Sequence, residues 1–182
     1  MFLHSKKIQA HFKNILQRLK VFAEDNRNIY GMDIQQTKVK DSAFVAIKKE
    51  LKEYPNTELI YSLINQLRNY IKANNVVQTD YPMMHVDEVD ENLYEVMVAI
   101  PIDKILEGNG TIHPKRMVLG NILVAEVKGG VETVRKGMAE LDNYVHDFSK
   151  VSPAIPYESL VTDRSKEADT TKWVTRLYYP VL

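Results

Sequence analysis

The chain contains no cysteine. That absence excludes a disulfide framework, a thiol nucleophile and any thiolate metal site, and it fits a reducing compartment. Net charge is missing as well, because 24 Lys and Arg balance 24 Asp and Glu. Gripping a nucleic acid requires clustered cations to neutralise phosphates, so direct nucleic-acid binding is not expected of a balanced chain. The only bias lies at the start, where Lys6, Lys7, Lys13, Arg18 and Lys20 precede the first acid, Glu24, and this reads as a solvated face. No apolar run approaches the ~18 residues of a membrane span. The opening Met-Phe-Leu-His-Ser-Lys-Lys has no apolar core of a signal peptide. The expected location is the cytoplasm, with no membrane partner. His4, His11, His85, His113 and His146 lack metal-ligand spacing, and His85 near Asp87 and Glu88 reads as a polar hairpin. There is no nucleophile elbow and no phosphate-binding glycine loop, since Gly108-Asn-Gly110 reads as a turn before Pro114. Neither a metal nor a cofactor is expected.

What is present suits one compact domain with an added element. Of 182 residues, 45% are apolar, enough for a chain of this length to bury about two-thirds of its unfolded surface without staples. Residues 1–28 read as an amphipathic helix with a stripe at Ile8, Phe12, Ile15, Leu19 and Phe22, ended by Asp25-Asn-Arg-Asn28. That stripe needs a partner: the rest of the chain, another protein or a second copy.

Residues 29–182 repeat themselves. The apolar run at Ala43-Phe-Val-Ala-Ile47 resembles Ile122-Leu-Val-Ala-Glu126, with Val45 set against Val124 (124 − 45 = 79). A helix follows each run, striped by Ile60, Ile64, Leu67 and Ile71 and then by Val134, Met138, Leu141 and Val145 (134 − 60 = 74). Short strands begin at Pro82 and Pro156, again 74 apart, and long strands run from Tyr94 to Pro101 and from Trp173 to Pro180, 79 apart. Two insertions account for the alternation, residues 50–55 in repeat one and residues 162–169 in repeat two, and both are polar loop sequence whose length costs little. Asn56 or Thr57 caps the first helix, which stops at Asn74-Asn75, and Gly129-Gly130 permits a sharp turn into the second. The reading is an α+β fold of two β-α-β-β units, residues 29–103 and 112–182, related by a pseudo-twofold axis. Its antiparallel sheet carries both helices on one face and a groove on the other.

This arrangement resembles the GyrI-like family, the bacterial transcription activator effector-binding domain, over about residues 30–182. Three motifs carry the resemblance: Val124-Ala-Glu-Val-Lys-Gly-Gly130 at the first strand and glycine turn, Pro156-Tyr-Glu-Ser-Leu160 at the aromatic-Glu strand, and Thr175-Arg-Leu-Tyr-Tyr-Pro-Val181 at the closing strand. Val131 departs from the family's usual Gly-Pro-Tyr turn. The resemblance implies binding of hydrophobic, often cationic, small molecules between the repeats, in transcription regulation and multidrug sensing. Glu158 stands where the family has its polar anchor. A branch of the family hydrolyses cyclopropane-containing electrophiles, so a hydrolase using Glu158, helped by Tyr178 or Tyr94, is the alternative. A third reading is a regulatory partner of a transcription factor. One helix before the domain is too little for a paired helix-turn-helix, and residues 12–24 also resemble the closing helix of a lipid-binding-like domain that precedes this module in some bacterial proteins.

The candidate ligand residues are Glu158, Met84, Trp173, Tyr94 and Tyr178. Glu158 is matched by Met84 in repeat one (158 − 84 = 74), so one half carries a carboxylate where its sister has a thioether. In an apolar groove such a carboxylate attracts cations and titrates high. Trp173, the only tryptophan, matches Tyr94; aromatics there can wall a ligand or pack as core. Alternation puts Trp173, Thr175, Leu177 and Tyr179 on one strand face, and Val174, Arg176 and Tyr178 on the other. Glu126 reads as a strand-end residue facing solvent or a second acid in the groove, and Met83, Met84 and Met97 as core filling or an adaptable lining.

Overall fold

A computed structural model describes residues 2–40 and 42–182, with side chains from residue 7 onward, so the side chains of His4 and Lys6 lie outside the described residues. Helix α1 (Phe2–Ala23) leads into a short helix α2 (Asn26–Tyr30), capped by the Asp25 side chain, which accepts from the Arg27 N–H. The α1 stripe does not dock on the sheet. Ile8, Phe12, Ile15, Leu19 and Phe22 are all exposed, and α1 packs on α2. Among the described residues no helix is long and apolar enough to cross a membrane.

Eight strands follow: β1 (Gln35–Lys38), β2 (Ala43–Leu51), β3 (Met83–Asp90), β4 (Leu93–Ile102), β5 (His113–Arg116), β6 (Asn121–Lys128), β7 (Tyr157–Leu160) and β8 (Val174–Val181). They form one antiparallel sheet in the order β1-β6-β8-β7-β3-β4-β2-β5. Helix α3 (Thr57–Ala73) follows β2 and α4 (Val131–Asp147) follows β6. The Asn56 side chain caps α3 by accepting from the Leu59 N–H at 2.9 Å, and α3 ends where Asn75 takes a left-handed conformation. Gly130 caps α4 without a side chain, and Gly129 turns the chain into it at φ +146°. Both helices begin and end 74 residues apart, as the stripes predict.

The registers fix the symmetry. Met84 pairs with Val98 and Glu158 with Leu177, so the offsets of 74 and 79 hold for β3/β7 and β4/β8. One alignment shifts. Val45 pairs with Ile100, whose counterpart Tyr179 pairs with Leu123, so Val45 corresponds to Leu123 (123 − 45 = 78) rather than Val124. In a strand a one-residue slip reverses the face. Ile47 therefore matches Ala125, and Glu126 points away from the helices to pair with Arg176 at 3.1 Å.

Two edge strands, β1 and β5, extend the strand–helix–strand–strand units. Each crosses over: β1 pairs with β6 of repeat two, and β5 with β2 of repeat one. This forces curvature. β1 and β2 lie six places apart in the sheet, roughly 29 Å if it were flat, yet residues 39–42 alone connect them and span at most about 18 Å. Residues 117–120 impose the same limit on β5 and β6. The sheet curls so that its ends approach each other, with the helices on the outside and a concave groove inside.

The core is split accordingly. Ile60, Ile64, Leu67 and Ile71 of α3 pack with Val45, Val96, Val98 and Ile100. Val134, Leu141 and Val145 of α4 pack with Leu123, Ala125 and Leu177. A third cluster of Phe44, Ala46, Met83 and Ala99, with Met97, Met117 and Tyr157, lines the concave face.

Candidate functional site

Helix α3 lies over β2 and β4, and α4 over β6 and β8, so the central strands β3 and β7 floor a cleft between the two helices. Alternation turns Glu158 and Leu160 of β7 toward the helices and Tyr157 and Ser159 toward the concave groove. The Glu158 side chain is only 13% exposed. Burial pushes its carboxyl up to about 7, outweighing the opposing pull of Arg164, whose Nη2 lies 3.7 Å away. That distance is an ion pair rather than a hydrogen bond.

Arg164 comes from the loop between β7 and β8, within the insertion peculiar to repeat two, and is 6% exposed. Its Nη2 donates to Thr175 Oγ1 at 2.7 Å, and its guanidinium carbon sits 4.9 Å from the Trp173 ring centroid. Tyr61 of α3 clamps the same loop. Its hydroxyl accepts from the Arg164 backbone N–H at 2.6 Å and donates to the Thr162 carbonyl at 3.2 Å. Trp173 is buried and donates its indole N–H to the Glu167 carbonyl at 2.8 Å.

Repeat one supplies the opposite wall. Tyr54, from the other insertion, stands edge-on to Tyr94 at 5.9 Å between centroids, with the Arg135 guanidinium of α4 4.6 Å from its own ring centroid. Burial raises the Tyr54 hydroxyl, as does the negative charge of Glu158, while Arg135 and Arg164 pull it back. All three charged groups thus act on that hydroxyl.

Of the residues singled out in the sequence, Glu158, Met84, Trp173 and Tyr94 gather on the helix side, and Tyr178 lies on the opposite face. There it stacks on Tyr157 at 4.8 Å between centroids and lines the concave groove, a cavity of about 800 Å³, with Met83, Arg176 and Met117. An apolar recess of about 210 Å³, lined by Phe44, Met83, Met97 and Met117, opens on that side as well. The groove expected opposite the helices is therefore present, but Glu158 faces the helix side and does not line it. Arg164, Tyr54, Tyr61 and Arg135 were not singled out. Tyr54 and Arg164 sit in the two insertions, where polar composition gives no sign that a side chain turns inward. Among the described residues no three His, Asp or Glu side chains stand close enough to hold a metal ion.

No family model matches the chain, and no curated protein is significantly similar to it. Solved structures are similar in shape. The EcmrR C-terminal domain aligns at 16% identity and a TM-score of 0.69, over 83% of this chain and 98% of that one. A hydrolase from Listeria innocua aligns at 13% identity and 0.61, over 88% and 98%. SAV2435 bound to tetraphenylphosphonium aligns at 16% identity and 0.50, over 83% and 94%. At these identities the likeness shows the fold, and that fold is the GyrI-like one.

Proposed function

We propose that this chain binds a hydrophobic aromatic small molecule in the cleft between α3 and α4, over Glu158, as an effector sensor or sequestering protein. The observation that carries the reading is a buried carboxylate at the junction of the repeats, walled by Tyr54 and Tyr94 from one and Trp173 from the other. Burying a carboxylate opposes folding, so a site that retains one in an aromatic frame is a functional candidate. The tetraphenylphosphonium complex of SAV2435 supports it, as does the resemblance to GyrI-like effector-binding domains. Trp173, as the sole tryptophan, reports directly on the cleft. Titration with anionic, neutral and cationic polyaromatic probes is expected to give a saturable change in its emission, with an affinity altered at least fivefold in Glu158→Gln. No saturable change with any probe would end this reading.

A second reading is hydrolysis. A carboxyl held near 7 is matched to general acid–base work, and a structural neighbour is a hydrolase. Tyr54 or Tyr94 would assist, whereas Tyr178 is on the wrong face. Turnover of a cyclopropane-bearing electrophile, abolished by Glu158→Gln, tests it. We also propose that α1 docks its exposed stripe on a second copy. Its alternating steps of four and three residues, from Ile8 to Phe22, match a coiled-coil seam. The finer reading of location, a cytoplasmic protein without direct nucleic-acid contacts, rests on composition alone.

A further inference from the structure

Resting on the ligand-binding reading of the cleft, we infer that its ligand is an aromatic molecule bearing an anionic acceptor group, such as an aromatic carboxylate, and that Arg164 selects for it. A lipophilic cation entering this cleft would need two things, the Glu158 carboxylate and the face of Trp173. Arg164 already occupies both, at 3.7 Å from the first and 4.9 Å from the ring centroid of the second. Because it is tethered, it competes at a high effective concentration, and an incoming cation would meet a like charge in a poorly solvated space.

The guanidinium is fixed in place. Its backbone N–H is held by the Tyr61 hydroxyl and its Nη2 by Thr175. Its Nε, also buried, has no hydrogen-bond partner. A buried N–H without an acceptor is rare in folded proteins, and a ligand oxygen supplies what this one lacks. The charge inventory agrees. Arg164 and Arg135 both act on the Tyr54 hydroxyl, with Glu158 as the opposing carboxylate; Glu132, which pairs with Arg135 at 3.0 Å, is 85% exposed. Arg164 is also an addition to the common frame, since the hairpin between β3 and β4 in repeat one has only Glu91 and Asn92 between its strands. A shared binding frame has thus gained a built-in cation.

The test uses 1-pyrenecarboxylate and 1-pyrenemethylammonium, which share a ring system and differ in charge, titrated into the full chain while Trp173 emission is followed. The carboxylate is expected to bind at least tenfold more tightly. Arg164→Gln should reduce that preference at least fivefold or invert it, and Arg164→Lys, which keeps the charge but loses the Nε donor, should retain only part of it. Equal or tighter binding of the ammonium probe by the unaltered chain would overturn the inference while leaving the cleft as the ligand site. That comparison needs no variant and stands even if the Arg164 substitutions unfold the chain. A carboxylate preference unchanged in a folded Arg164→Gln variant would also overturn it. Failure of both probes to perturb Trp173 would overturn this inference and the ligand-binding reading together.

Discussion

Met84 and Glu158 hold the same position in the two repeats and are paired with each other across the β3–β7 ladder. An element of a duplicated fold faces its own counterpart only on the symmetry axis, so the pseudo-twofold passes between these two residues. Perfect symmetry would put identical side chains there. The thioether of Met84, 2% exposed, instead sits beside a carboxylate whose ion-pair partner is Arg164.

Stability should depend on pH through Glu158. Its folded-state pKa is raised from 4.5 to about 7, so its contribution to stability is fully present below pH 4.5 and is lost as pH rises through about 7. Glu158→Gln removes this dependence. The stability of the variant relative to the parent, from urea titrations, should rise by about 2 kcal/mol between pH 5 and pH 8. The constant offset from leaving Arg164 without its carboxylate does not affect that slope. A difference flat across this range would show that the carboxyl titrates normally.

Trp173→Phe should cost about 2 kcal/mol, from the weakened cation–π contact and the lost indole hydrogen bond to Glu167. The damage should be local. Amide exchange is expected to accelerate in residues 161–172 and to leave α3 and α4 unchanged; acceleration spread evenly over the domain would argue against this loop being a separately anchored unit.

Tyr61→Phe removes a single hydroxyl that both accepts from Arg164 and donates to Thr162. The loss should be about 1–3 kcal/mol, because the Arg164 N–H is left buried and unmet. Denaturant titration of Tyr61→Phe in the Trp173→Phe background should give less than the sum of the two losses, since both act on one loop. Strict additivity would separate them.

Gly129→Ala should cost about 2 kcal/mol, because φ +146° lies in a region nearly closed to residues with a Cβ. The new methyl would also stand 2.4 Å from Thr133 Oγ1. Adding Thr133→Ala removes the hydroxyl but leaves the residue 133 Cβ 2.9 Å away and the backbone unchanged, so a calorimetric melt of the double variant should recover only a minor part of the loss.

Self-association should reside in α1. Sedimentation is expected to show a concentration-dependent dimer that Phe12→Glu with Leu19→Glu converts to monomer, leaving the domain's melting midpoint within a few degrees. Both residues are exposed, so the fold of one chain does not need them. A parent monomeric at high concentration would remove this role.

The duplication, both helices, the Asn56 cap and the glycine turn were legible in the sequence, because periodicity and capping depend on near neighbours along the chain. The offset of 74 between Ile60 and Val134 appears in the backbone unchanged. The alignment of Val45 with Val124 slipped by one because several small apolar residues in a row fit either frame, and only pairing with Ile100 and Tyr179 distinguishes them. Strands β1 and β5 are short and polar, so their pairing depends on edges donated by the opposite repeat.

Residue pattern alone determined that Glu158 replaces a methionine and that Trp173 and Tyr178 belong to different strand faces. Tertiary structure alone decided which face meets the helices, and so that Glu158 lies in the cleft while Tyr178 lines the concave groove. It also decided that Tyr54 and Arg164, from two loops more than a hundred residues apart, close over the same carboxylate. Side-chain alternation is set by local backbone geometry and can be read along the chain. The direction in which a loop turns depends on what is already packed beneath it, and for Arg164 that is the ring of Trp173, the Thr175 hydroxyl and the Glu158 carboxylate.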